Sequence, residues 1–168
     1  ILGIPGTTLE DDWNSYKFAK SLKPAAPTFG IFSPYPGTDL TDYAIKLGQL
    51  DADYDFNGLT ATGKSILKGY TERDRETMRN LQSLASLFCF LPSFCDPLLK
   101  ILIKLPLGKL YGPLGAAFVS IMLATKCFPG AYPRNLKVIL KSIVRAVKFF
   151  NEPSEMKAMK KKLKNIAQ

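Results

Sequence analysis

The sequence contains no histidine, which removes the side chain most often used as a general base or metal ligand near neutral pH. Cysteine is scarce: Cys89, Cys95 and Cys127 are the whole set, and no two of them stand in a Cys-x-x-Cys spacing. A disulfide scaffold and a zinc site are therefore not expected, whereas a reduced, cytoplasmic setting is. Cys89 and Cys95 read as small apolar core residues. Acidic residues are scarce in one half only. Residues 1–84 carry nine Lys+Arg against eleven Asp+Glu, a net −2, whereas residues 85–168 carry fourteen against three, a net +11. The second half is a cationic appendix. At 168 residues with 46% hydrophobic side chains the chain suffices for one core.

What is present begins with a device made twice. Ile1–Leu2–Gly3–Ile4 runs into Pro5–Gly6–Thr7, and Phe29–Gly30–Ile31–Phe32–Ser33 runs through Pro34 and Tyr35 into Pro36–Gly37–Thr38. Proline fixes one backbone angle and glycine permits the angle other residues avoid, so both turns are expected to be sharp and to leave backbone groups free for a ligand. Between them lies a helix, with Thr7 and Glu10 in capping-box spacing and Asp11 and Asp12 at its positive end. Leu9, Trp13, Tyr16 and Ala19 share one face, and the helix stops near Lys23–Pro24. Strand, helix and strand at this length predict a βαβ crossover with both following loops on one edge.

The pair GIPGTTLED and FSPYPGT, separated by one helix, resembles the late barrel strands of radical S-adenosylmethionine (SAM) enzymes, in particular the cobalamin-binding subgroup. The resemblance implies an α/β fold that becomes mostly α: the last strand-helix units of a partial (β/α)6 barrel over residues 1–48, a linker over 49–70 and a helical region with a basic tail over 71–168. It further implies that Gly3, Ile4, Pro5 and Gly6 pack against the adenine of SAM, with Phe32, Ser33, Pro34 and Tyr35 beside the same nucleoside. A β-branched residue at Gly3 is then expected to weaken SAM binding more than folding. The family's [4Fe-4S] cluster needs three cysteines in a CxxxCxxC loop, which Cys89, Cys95 and Cys127 do not form. The cluster and cobalamin are thus implied for a full-length enzyme and not ligated by this chain. The chain reads as a C-terminal fragment that is silent alone, with no catalytic and no metal-ligating residue of its own.

Past the second turn, residues 39–47 predict a short helix stopped by Gly48, followed by a polar link over 49–63. Asp51, Asp53 and Asp55 alternate as in a calcium loop, but the glycine and final glutamate of an EF-hand are missing, so a solvated loop is expected. Gly58 to Ser65 matches G-x-x-x-x-G-K-[ST] in form. No buried strand leads into it and Gly69 interrupts the helix that should come after it, leaving P-loop-type nucleotide binding a lesser alternative. From Thr71 the pattern turns helical, with Met78, Leu81, Leu84, Ala85, Phe88 and Leu91 at spacings of three and four. Residues 97–105 come next, and then 110–128, whose densest apolar part falls short of the roughly twenty residues of a span. A buried or interfacial helix is expected there.

The last periodic segment, 135–150, sets Lys137, Lys141, Arg145 and Lys148 in one row opposite Leu136, Ile139, Ile143 and Val147, and a lysine cluster stands beyond it over 157–164. This suits peripheral contact with an anionic membrane, whereas nothing in it resembles a nucleic-acid module. Two functions stand side by side. One is the SAM-binding part of a radical SAM enzyme performing radical chemistry or methyl transfer on a small-molecule or lipid-like substrate. The other is a non-catalytic helical module docking to a membrane or a partner.

Overall fold

The computed structural model describes residues 1–54 and 65–127, together with the single positions 141 and 144. Among the described residues the named helices are α1 Leu9–Ser21, α2 Asp39–Lys46, α3 Glu72–Phe88, α4 Asp96–Leu102 and α5 Gly108–Met122, with a 3-10 turn Ser93–Cys95 before α4 and a π-helical turn Leu123–Cys127 after α5.

The partial barrel is not there. Among the described residues there is no strand, and the two predicted strands meet in a single parallel bridge, Leu2 to Ile31. The Leu2 N–H donates to the Gly30 carbonyl at 2.8 Å and the Phe32 N–H donates to the Leu2 carbonyl at 2.8 Å. The ladder cannot grow, because Gly3 swings to φ +65° directly after Leu2. On the other side Pro34 offers no N–H with which to continue it.

α3 is the central element, contacting α1, α4 and α5. Thr71 and Asp74 close a complete capping box at its start, and Met78, Leu81, Leu84, Ala85 and Phe88 are buried along one face. Burial of large apolar side chains of this kind stabilises by about 1.5–3 kcal/mol each. Asn80 is fully buried on the same helix and its Nδ2 donates to the carbonyls of Ile103 and Leu105, both at 2.9 Å. It thereby satisfies acceptors at the end of α4 and fixes the corner into α5. α5 approaches closely through Gly115, where an added Cβ would lie 2.1 Å from the Ser83 carbonyl oxygen.

The first helix begins one residue later than predicted. Thr8, not Thr7, is the cap and Asp11, not Glu10, completes the box, because the Thr7 N–H and hydroxyl are both donated to the Ile4 carbonyl, at 3.1 and 2.7 Å. Gly48 stops α2 at φ +68° as expected. The helix Gly108–Cys127, counted through the π turn, is 20 residues and by length and composition is apolar enough to cross a membrane. The P-loop-like segment up to Lys64 and Asp55 lie outside the described residues, as do the predicted basic segment 135–150, apart from Lys141 and Val144, and the lysine cluster.

Candidate functional site

The bridge between Leu2 and Ile31 runs parallel, so the chain passes through both residues in the same direction. Gly6 takes φ +80° and Gly37 φ +76°, which the two Pro-Gly turns require. The helix behind the second turn also reaches the first: a Cβ on Gly6 would stand 3.4 Å from the Tyr43 hydroxyl and 3.4 Å from Leu47 Cδ1, both on or just after α2. The second turn is held by hydroxyls. Thr38 Oγ1 and Thr41 Oγ1 each lie 2.9 Å from the Tyr35 carbonyl that accepts from them, and the Tyr54 hydroxyl donates to the Pro34 carbonyl at 3.2 Å.

The eight predicted nucleoside-facing residues divide by exposure. Gly3, Pro5, Phe32 and Pro34 are buried, Ile4 and Ser33 are half-buried, and Gly6 and Tyr35 are exposed. Of the eight, Ile4, Gly6, Ser33 and Tyr35 are thus the ones at least partly open to solvent. The backbone donors expected to be open are engaged within the chain. The Gly3 N–H donates to Asp12 Oδ1 at 2.8 Å and the Gly6 N–H to Gln49 Oε1 at 2.9 Å.

Gly3 has a packing reason of its own, since a Cβ there would lie 2.7 Å from Met78 Sδ and the positive φ is strained for any L side chain. A β-branched residue at this position therefore burdens the fold itself.

Asp12 is buried beneath the first turn, and its second oxygen, Oδ2, has no hydrogen-bond partner. Burial raises its carboxyl above the ordinary 3.8, with the Gly3 N–H and the chain's amino terminus pulling the other way. Asp11, exposed at the cap, is instead lowered by its bonds from Thr8. Tyr70 completes the surroundings. Its hydroxyl donates to the Thr7 carbonyl at 2.9 Å, and its own ionisation is pushed up chiefly by burial.

Gln49 and Tyr70 carry no periodic or motif signal in the sequence. They reach the turn from 43 and 63 residues away. Only a three-dimensional pairing could have nominated them.

A second polar cluster sits at the far end of α1. The fully buried Tyr16 donates its hydroxyl to Asp96 Oδ1 at 2.7 Å, and Lys20 pairs with the same oxygen while lying 3.2 Å from the Tyr16 hydroxyl. Cys89 lies close by, and burial pushes its thiol up to about 11, with Asp96 raising and Lys20 lowering it. A thiol held protonated is a poor metal ligand or nucleophile. Cys89 and Cys95 are half-buried and Cys127 is exposed beyond α5. Among the described residues no three His, Cys, Asp or Glu side chains gather closely enough to hold a metal ion. The cysteines therefore do not fit a [4Fe-4S] cluster.

No protein-family model, no curated protein and no solved structure matches the chain.

Proposed function

We propose that this chain contributes a nucleoside-facing edge to a radical SAM enzyme, with Ile4, Gly6, Ser33 and Tyr35 as the surface that meets the adenosyl group. One observation carries the reading: the parallel pairing of Leu2 with Ile31, from which two Pro-Gly turns leave in the same direction. A half-buried aliphatic side chain and an exposed aromatic ring are what a purine face packs against. SAM, when bound, would supply the methyl or 5′-deoxyadenosyl group, while this chain's part is to hold the nucleoside. The cluster and cobalamin of the implied enzyme are left to residues outside this proposal.

Titration of the isotope-labelled chain with millimolar SAM, followed by NMR, tests it. Saturable shifts confined to Ile4, Gly6, Ser33 and Tyr35 and lost in Tyr35→Ala are expected. A spectrum unmoved at these four residues would refute the assignment.

A second reading is favoured by α5 and the π turn after it, a 20-residue helix apolar enough to cross a membrane. On this reading the helical half attaches a cytoplasmic protein to a membrane, near a lipid-like or poorly soluble substrate. The two readings are compatible, because the turns and α5 occupy different parts of the chain.

A further inference from the structure

α4 and α5 each bury one face against α3 and leave an apolar stripe outside. On α4 and its flanks the outward residues are Phe94, Leu98, Ile101 and Leu105, at spacings of four, three and four, with Phe94 82% and Ile101 61% exposed. The inward residues are Leu99 and Ile103. On α5, Leu110 and Leu114 are exposed, whereas Tyr111, Gly112, Gly115 and Met122 face inward. Leu105 ends one stripe and Leu110 begins the other on either side of the corner that Asn80 fixes.

Leucines and isoleucines turned outward at helical spacing on two consecutive elements are not scattered surface apolar residues, and they call for a partner. Along the sequence the charge of this region is of one sign. From Pro97 to Asn151 the sequence has nine Lys+Arg and no Asp or Glu. Lys104 and Lys109 stand exposed on either side of the corner.

We propose that these two stripes form one in-plane insertion surface for an anionic bilayer, with the leucines and Ile101 entering the acyl boundary and Lys104 and Lys109 at the phosphates. The inference rests on the membrane association proposed above and says which surface makes it. An apolar protein partner would not need an acid-free stretch, whereas anionic headgroups reward it. A span is disfavoured by α3, whose Glu72, Arg73, Arg75, Glu76 and Arg79 would have to accompany α5 into hydrocarbon as long as Gly115 stays against Ser83. Lying flat, α5 keeps that contact and still buries Leu110 and Leu114.

The test is co-sedimentation of the full 168-residue chain with vesicles of phosphatidylcholine alone and with added phosphatidylserine, at low and high salt. Binding is expected with phosphatidylserine and is expected to weaken with salt, as the screening length falls from about 10 Å at 0.1 M to about 3 Å at 1 M. The double variant Ile101→Gln/Leu110→Gln should lower partitioning at least about tenfold. Its circular dichroism should stay unchanged, because both side chains are exposed. Replacing Lys160, Lys161 and Lys162 by Gln should leave most of the binding. If the double variant binds like the parent, or if only the tail variant fails to bind, this surface is wrong although the membrane association stands. If the parent binds no vesicle, both fall.

Discussion

Gly115→Ala sets two effects of opposite sign against each other. In a helix interior, alanine is worth about 1 kcal/mol more than glycine, so helix propensity alone predicts a stabilised protein. Packing predicts the reverse. The new Cβ would sit 2.1 Å from the Ser83 carbonyl oxygen, 2.9 Å from its carbonyl carbon and 3.0 Å from its Cα. All three are backbone atoms, so no side-chain rotation relieves them, and α5 must lift away from α3. Overpacking of this kind costs about 1–3 kcal/mol, and the upper end applies where backbone meets backbone. Subtracting the propensity gain leaves a loss of about 2 kcal/mol. Urea unfolding of the full chain, monitored by far-ultraviolet circular dichroism, reads the difference as a lowered midpoint at unchanged slope. A raised midpoint would mean that α5 does not rest on α3 at Ser83. That result would also remove the main obstacle to α5 as a membrane span.

Three other perturbations test the fold beneath the two turns and around α3. Asp96→Ala leaves Lys20, only 10% exposed in its side chain, and the buried Tyr16 hydroxyl without their shared acceptor; a loss of about 3 kcal/mol in urea unfolding is expected, and one below about 0.5 kcal/mol, the scale of an exposed pair, would show that the cluster is not a staple. Thr71→Ala should cost about 1 kcal/mol by uncapping α3. Asp74 is lowered by its bonds from Thr71, so its contribution is present above pH 3.8 and lost as pH falls through its folded value; an acid limb of the stability profile identical in parent and variant would refute the capping box. Asp12 has the opposite sign. Burial raises its carboxyl, so its contribution is full below 3.8 and is lost as pH rises through the folded value. As pH falls toward 3.8 the parent should therefore gain stability relative to Asp12→Asn, and parallel profiles would mean that the carboxylate is solvated.

The helices were legible where local signals agree. For α3, a threonine cap, an acid three residues on and apolar residues every third or fourth position all specify one helix, and the fold obeys them. At α1 the same signal was ambiguous, because Thr7 with Glu10 and Thr8 with Asp11 both have capping-box spacing. The choice fell to the turn before it, where Thr7 is used to close back on Ile4. Nothing local announces the Tyr16–Lys20–Asp96 cluster, whose Tyr16–Asp96 bond joins residues 80 apart. Contacts of that range have no period to betray them.

The strands failed for a different reason, and it bears on the candidate site. Residues 1–4 and 28–32 have the apolar, β-branched character of strands, but a parallel pair gains stability from its ladder and from helices packed on its faces. Here Gly3 has a positive φ, which ends the first segment after Leu2 and makes room for Met78 of α3 against its backbone. The same glycine that shortens the strand thus brings the central helix under the turn, and Asp12 accepts its N–H. What survives of the predicted crossover is its sense of direction. One bridge with two hydrogen bonds is enough to make Leu2 and Ile31 parallel, and the surface proposed at Ile4, Gly6, Ser33 and Tyr35 is built on that pairing. The proposed ligand surface therefore depends on those two bonds rather than on a sheet. A substitution that breaks them, such as Leu2→Pro with its missing N–H, should abolish SAM-dependent shifts at Ser33 and Tyr35 while the helical signal of α3 persists. Shifts that survive it would show that the second turn alone binds the nucleoside.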